Sequence, residues 1–371
     1  IKLSRLHYRN SVLQSSTHYA GAFLYENDSL QFISTGEGRY LPQSQQYEYY
    51  IKDHLGNTRL VIHRSETATH ELTLEGSNAQ AEETAWANVA ATRQTDAAHA
   101  RTGTASAWLR ANSASTLPLG PTKTFKVNKG DTVQIETYAH YISSSTGGNG
   151  FNFSLFITNT FDHQNSENLI GNLSLGLGFS GANGIQQSGV PYAYLKMVRY
   201  ATDSSIVEEQ EQLISTNAAN AWEALTINSI PDEDGFIKVY VVNESDEDVW
   251  FDDFAIEHTE SPISQQTDYY PYGLEIAETR YNRSYWLMNN YLANGSSEKN
   301  DHLGVYETPF RIMAPGLARW WQVDPEAESL SSLTAYNVNL NNPVSLADPL
   351  GDCPEGVDCS DVNSKWSNTA G

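Results

Sequence analysis

Residues 47–62 read YEYYIKDHLGNTRLVI, and this stretch decides how the chain is read. Aromatic and apolar residues alternate with polar ones on both sides of Leu55-Gly56-Asn57. Two period-two runs joined through Gly-Asn are the pattern of a β-hairpin, because both residues tolerate the positive φ of a tight reversal. Upstream, HYAGAFLYEND (18–28) and SLQFISTGEGRYL (29–41) carry the same texture, broken at Asn27-Asp28 and Gly36-Glu37-Gly38. Residues 1–64 are therefore expected to form a meander of hairpins.

The texture changes near Ser65. An Ala-, Thr- and Glu-rich stretch runs to about Ala100, with WANVAATRQ (86–94) as its amphipathic part. Strand-like runs follow at 104–111, 123–142, 151–158, 193–201, 222–228, 235–244 and 249–258, separated by Gly, Asn and Ser. Such spacing predicts a β-sandwich over 65–260. The Gly-rich stretch 171–189 is expected to be a loop. The acidic runs Glu208-Glu209-Gln210-Glu211 and Asp246-Glu247-Asp248 are expected to be solvated hairpin tips. From Ser261 the first texture returns in TDYYPYGLEI (267–276) and continues through 351, with a tail at 352–371. A strand pattern that stops, admits a long stretch and resumes is the mark of an inserted domain.

Composition agrees with an all-β chain. Charged residues make up 18% of it, and its 21 tyrosines suit half-buried positions on pleated sheets. The formal net charge is −23, from 45 acidic and 22 basic residues. Such a surface repels phosphate backbones and anionic headgroups, which argues against nucleic acid as a partner. No run approaches the roughly 18–20 apolar residues of a membrane span. Ile1 opens in mid-pattern, so the sequence reads as a piece of a longer protein. Cys353 and Cys359 are compatible with a local disulfide or with two free thiols. There is no P-loop, no Gly-x-Gly-x-x-Gly after a strand, no Gly-x-Ser-x-Gly and no helical His pair, so nothing marks a metabolic active site.

The flanking blocks resemble RHS/YD-repeat proteins of the Bacteroidetes type. YYIKDHLGNTRLVI is similar to the YD repeat, with its Tyr, Asp-x-Leu-Gly-Asn turn and Arg. ARWWQVDP (318–325) and YNVNLNNPVSLADPLGD (336–352) are similar to the RHS-associated core, with its two Asp-Pro motifs. The resemblance covers roughly 1–64 and 261–351. It implies a secreted or cell-surface β-shell that shelters or displays a C-terminal polypeptide, a toxin or effector, which the core separates by self-cleavage. The sequence departs from the family where Ile312-Met313-Ala314-Pro315 replaces Tyr-Asp-Pro, Ala318 replaces Gly and Asp352 replaces Leu. A core kept only as a plug is the alternative.

The two Asp-Pro motifs nominate Asp324 and Asp348 as a catalytic pair acting once, near Gly351. Two carboxylates brought close cannot both ionise easily, so one keeps a proton and serves as acid while the other serves as base. The competing reading is that each Asp caps a turn before Pro. Arg319 could orient a carboxylate through a bidentate contact, or form a buried structural ion pair. In the insert, VWFDDFAIEH (249–258) resembles the closing strand of jelly-roll carbohydrate-binding modules. That resemblance implies a structural Ca²⁺ held by Glu75 and by Asp252 or Asp253, against the alternative of solvent-facing acids. Trp86, Trp108, Trp222 and Trp250 are candidate sugar platforms, although Trp in a sandwich is more often core. An adhesion or assembly module, binding a glycan or an identical subunit, is therefore the second functional reading.

Overall fold

The computed structural model describes residues 3–111, 113–143, 189–284, 286–330 and 332–359. The chain forms two compact units, Ile1–Ser65 with Pro262–Gly371, and Glu66–Ser261. Both are built from antiparallel strands, and the fold is all-β. Among the described residues no helix is long and apolar enough to cross a membrane.

The discontinuous unit is built on a strip of hairpins. Strands β1 (Ser4–Arg9), β2 (Val12–Ala20), β3 (Phe23–Glu26), β4 (Ser29–Ser34), β5 (Gly38–Leu41), β6 (Gln46–Lys52) and β7 (Thr58–His63) follow one another across the sheet. The strip then continues through β18 (Ile263–Gln266) and β19 (Tyr281–Asn282), so its strands from the two ends of the insertion share one sheet. Alternation gives the strip two different faces. One carries Leu6, Tyr8, Phe23, Tyr47, Tyr49 and Ile51, all exposed. The other meets residues 286–302, and there the polar groups are buried and paired. Arg39 and Glu48 form an ion pair at 1% and 0% side-chain exposure. Arg39 also donates to the carbonyls of Leu287 and Met288, and the Trp286 indole donates to Glu48. A buried charge needs such full pairing, because the interior cannot replace water otherwise. A small sheet of β20 (Glu298–Asn300), β21 (Val305–Glu307), β22 (Ile312–Ala314) and β23 (Arg319–Trp320) completes the unit. It packs Tyr306, Met313 and Trp320 against Leu292 and Val338.

The continuous unit is a two-sheet sandwich. One sheet runs β15 (Glu223–Ser229), β12 (Thr132–Tyr141), β17 (Val249–Thr259), β10 (Ala105–Leu109), β9 (Arg93–Thr95), with β8 (Thr67–Leu72) also on β17. The other runs β11 (Leu119–Val127), β16 (Gly235–Asn243), β13 (Ala193–Ala201), β14 (Ile206–Leu213). Leu109, Ile135, Leu225 and Phe251 from the first meet Leu195, Met197, Ile237 and Val241 from the second in one core. Two short helices, Ala79–Ala85 and Val89–Thr92, lie in the Ala-, Thr- and Glu-rich stretch, the second of them within 86–94.

The structure corrects the sequence reading at several points. The run 123–142 is two strands, split where Gly130 takes a φ of +82°. Glu208–Glu211 is not a hairpin tip but part of β14. Its acids are held on the sheet by β13, through Glu209 to Lys196 at 2.8 Å and Glu208 to Arg199 at 2.9 Å. Asp246–Asp248 does lie at the turn between β16 and β17, where Asp248 accepts from the Trp108 indole at 2.8 Å. The expected strand 151–158 and nearly all of the expected loop 171–189 lie outside the described residues.

The Arg39–Glu48 pair gives a direct test of the strip. Truncating either partner alone leaves the other charge buried without its counter-ion, which costs about 3–5 kcal/mol. Arg39→Ala and Glu48→Ala are each expected to lower the stability of this unit by that amount in denaturant unfolding. The doubly truncated chain is expected to lose less than the sum.

Candidate active site

The two aspartates nominated from the sequence come together. Asp324 follows β23, and Asp348 lies in the turn Ala347–Gly351. Both are buried, at 5% and 1% exposure. Arg311 joins them. Its Nη1 donates to Asp324 Oδ2 at 2.6 Å and its Nη2 to Asp348 Oδ2 at 3.1 Å. Its Nε donates to the carbonyl oxygen of Gly351 at 2.5 Å. The guanidinium lies over the Trp320 ring, 4.5 Å from the centroid, which closes its remaining face. An arginine stays charged under all ordinary conditions, so this buried cation requires negative charge, which the two carboxyl groups supply between them.

Asp348 also reads the backbone that follows it. Its Oδ1 accepts from Gly351 N at 2.8 Å and from Asp352 N at 3.1 Å. Gly351 has a φ of +79°, and a Cβ there would stand 2.1 Å from Thr308 Oγ1, so only glycine fits. The peptide joining Gly351 to Asp352 is thus contacted on its carbonyl by Arg311 and on its nitrogen by Asp348. Burial is the largest influence on the Asp348 carboxyl and holds it above its ordinary value, opposed by the Gly351 amide and Arg311. Asp324 is fixed differently, with Oδ1 accepting from Glu326 N at 2.9 Å, as an Asp capping the turn after it does. Both aspartates therefore cap the turns that follow them, and both bond to the same guanidinium. Cys353 and Cys359, just beyond, form a disulfide.

Arg319, the arginine singled out from the sequence, plays no part here. It is exposed and lies over the Tyr336 ring, 4.8 Å from the centroid. Arg311 stands directly before Ile312-Met313-Ala314-Pro315, where the sequence departs from the family pattern, so no motif singles it out. The one usable signal was physical, since two buried carboxylates demand a nearby cation and few are available in so acidic a chain.

The expected calcium ligands surround a single loop, Arg101–Ala105. Glu75 accepts from Thr104 N at 2.8 Å and Ala105 N at 3.0 Å. Asp252 is fully buried and accepts from the amides of Arg101, Thr102 and Asp253 at 2.8, 3.3 and 2.8 Å. Asp253 is paired with the Arg101 guanidinium at 2.5 Å. N–H donors and a cation already take up these oxygens. Among the described residues no three His, Cys, Asp or Glu side chains are placed to share a metal ion. As arranged, the donor set does not fit a calcium ion.

The tryptophans divide. Trp86 is core, packed on Phe254. The other three lie in one cross-strand row on the outer face of the β12 sheet, Trp222–His140–Trp250–Trp108, set by the register of His140 on Trp250 and Trp250 on Trp108. His140 lies 5.3 Å from Trp222 and 5.7 Å from Trp250, while His99 stacks on Trp250 at 4.0 Å. Trp250 is buried beneath this stack, and Trp108, Trp222 and His140 are half-buried.

Comparison with known proteins adds a partial likeness. No family model matches the sequence. A stretch of 98 residues is 30% identical to toxin subunit YenC2 of Yersinia entomophaga, covering 25% of this chain and 9% of that protein. The chain thus matches only a small fraction of that relative's length. Among solved structures, the CBM22-1 xylan-binding domain of Paenibacillus barcinonensis Xyn10C aligns over 52% of this chain and 94% of its own, at 12% identity and a TM-score of 0.28. A family 16 carbohydrate-binding module covers 50% and 99%, at 8% identity and a TM-score of 0.28.

Asp252 makes a pH prediction. Burial pushes its carboxyl up to about 6. An unfolded Asp releases its proton near pH 4, so between roughly pH 4 and 6 the folded chain binds a proton that the unfolded chain has lost. The contribution of this group to stability therefore falls as pH rises through that window. Unfolding of the native chain and of Asp252→Asn across pH 4–7 is expected to show a downward slope that the variant flattens.

Proposed function

We propose that this chain is a structural part of a secreted or cell-surface RHS-type delivery protein whose closing segment cuts its own backbone once, between Gly351 and Asp352. The single observation that carries the reading is the contact of Arg311 and Asp348 with that peptide, with Asp324 bonded to the same guanidinium. The partial identity with a toxin subunit and the RHS-like sequence motifs support it. So does the apolar face of the hairpin strip. Leu6, Tyr8, Phe23, Tyr47, Tyr49 and Ile51 form one side of a sheet, with exposures from 43% to 56%. Contiguous apolar surface of this kind is rarely left to water, and it suits a polypeptide cargo held against the strip.

The cleavage is a hydrolysis. A water molecule adds its oxygen to the Gly351 carbonyl carbon and gives a proton to Asp324, acting as base. Negative charge grows on the Gly351 oxygen, where the Arg311 Nε–H already points. Such a fixed donor stabilises the oxyanion without reorganisation. The bond from Gly351 to Asp352 then breaks, and the departing nitrogen takes a proton from Asp348, the carboxyl that burial keeps protonated to higher pH. The products are a carboxyl group at Gly351 and an amine at Asp352. Asp324 and Asp348 end with their proton exchanged.

A second reading concerns the sandwich alone. The ring row Trp222–His140–Trp250–Trp108 offers half-buried aromatic faces on one sheet surface, a geometry suited to stacking on sugar rings, and it favours a glycan-binding role for this unit.

The purified chain is expected to yield a fragment whose N-terminus is Asp352, read by mass spectrometry and N-terminal sequencing. Asp324→Asn and Asp348→Asn are expected to remain intact. Arg311→Ala is expected to cleave about 10²–10³-fold more slowly, the usual loss for one oxyanion donor. An intact native chain after prolonged incubation would leave the core as a plug. For the second reading, glycan-array signal is expected to vanish in Trp108→Ala and Trp222→Ala, and no signal from the native chain would count against it.

A further inference from the structure

We infer that Asn294 is a positioning residue for the self-cleavage proposed above, on which this inference rests, and that it acts by gripping the backbone of Asp348. Its side-chain oxygen accepts from Asp348 N at 2.8 Å, and its side-chain nitrogen donates to the Asp348 carbonyl at 2.6 Å. One amide thus satisfies both backbone groups of a single residue. Asn294 is itself 5% exposed, so neither bond competes with bulk water.

The grip is anchored at its other end by the turn of the first motif. Asn294 N donates to Asn57 Oδ1 at 2.7 Å. Gly295 N donates to the Leu55 carbonyl at 3.1 Å, and the Ser296 hydroxyl donates to the Gly56 carbonyl at 2.8 Å. The turn is rigid in its own right, because Asp53 accepts from Leu55 N, Asn57 N, the Asn57 amide and Arg59 Nε, each at 3.0 Å. Close approach is built in on both sides. A Cβ at Gly56 would stand 3.0 Å from Gly295, and one at Gly295 would stand 2.3 Å from the Pro349 ring. Asn294 takes a φ of +52°, a left-handed conformation that asparagine bears better than most residues.

The consequence is geometric. Asp348 must present one oxygen to Arg311 and the other to the Asp352 nitrogen at once, which fixes its Cα as well as its carboxyl. The turn 347–351 is tied to its surroundings by Phe310 N on the Leu350 carbonyl and Glu355 N on the Ala347 carbonyl, and the Asn294 amide adds the grip on the N–H and carbonyl of Asp348 itself. Asn294 touches no reacting atom and leaves the chemistry to the aspartates and Arg311.

Replacing the amide by a carboxyl separates positioning from folding. When protonated, the Asp side chain of Asn294→Asp offers one acceptor and one donor in the same places as the amide. When ionised it has no donor, and its charge faces the Asp348 carbonyl. The cleavage rate of Asn294→Asp relative to the native chain is expected to match at acid pH. It is then expected to fall roughly 100-fold as the new carboxyl ionises, the scale of loss for a misplacement of about 1 Å. Asn294→Ala is expected to be slow by a similar factor at every pH, and circular dichroism checks that both variants are folded. A rate ratio for Asn294→Asp that stays flat with pH, or an Asn294→Ala chain that cleaves like the native one, overturns this role while leaving the self-cleavage reading intact. If the native chain is not cleaved at all, while Asp348→Asn behaves identically, both readings fall together.

Discussion

A guanidinium buried at the end of the chain is the constraint on which the closing segment depends. Arg311 cannot discharge itself, and at 2% exposure it has no water to lean on. It is stable only if anions and carbonyls reach all of its fork, and the structure supplies Asp324, Asp348 and the Gly351 oxygen. Asp324 lies on one piece of chain, and Asp348 and Gly351 lie on another. The buried cation therefore ties β22, the segment after β23 and the turn at 347–351 into one arrangement. Removing it would leave the two buried carboxyl groups without their counter-ion, which is why the ion cluster is a feature of organisation as much as of chemistry.

The same economy of buried polar groups links the hairpin strip to that cluster. Asp53 uses every acceptor it has to stiffen one turn, the turn fixes Asn294, and Asn294 holds Asp348. The first repeat-like motif and the second Asp-Pro motif, distant in sequence, are thereby two ends of one hydrogen-bonded chain. Glycines at 56, 295 and 351 let the backbones approach where any side chain would intrude. What the sequence displays as a turn signal also serves as an anchor for the site.

In the sandwich, acids that suggested a metal instead close a loop. Glu75 and Asp252 receive the amides of Arg101, Thr102, Thr104 and Ala105, and Asp253 receives the Arg101 side chain, so the loop is clamped by charge-assisted hydrogen bonds. The aromatic residues split by strand parity. In the β12 sheet those on core-facing positions, with Trp86 from the helical connection, fill the interior, and Trp108, His140 and Trp250 on the opposite parity make the outer row. Burial of Trp250 follows from His99 lying on top of it rather than from membership of the core.

Much was legible in the sequence where a local rule applied. Alternation and Gly-Asn chemistry marked the hairpins, because side-chain parity and positive φ are decided within a few residues. Asp324 and Asp348 could be nominated only through the resemblance of their Asp-Pro motifs to a known family. Tertiary structure alone decided that Arg311, not Arg319, completes that pair, that Asn294 grips Asp348, and that Glu208–Glu211 is a strand held by Lys196 and Arg199. It also decided that the three acids of the insert serve a loop. Each of these outcomes depends on which distant group arrives to satisfy a buried charge or a backbone amide. Pairing energy of that kind resides in contacts between segments, and no reading of one segment by itself contains it.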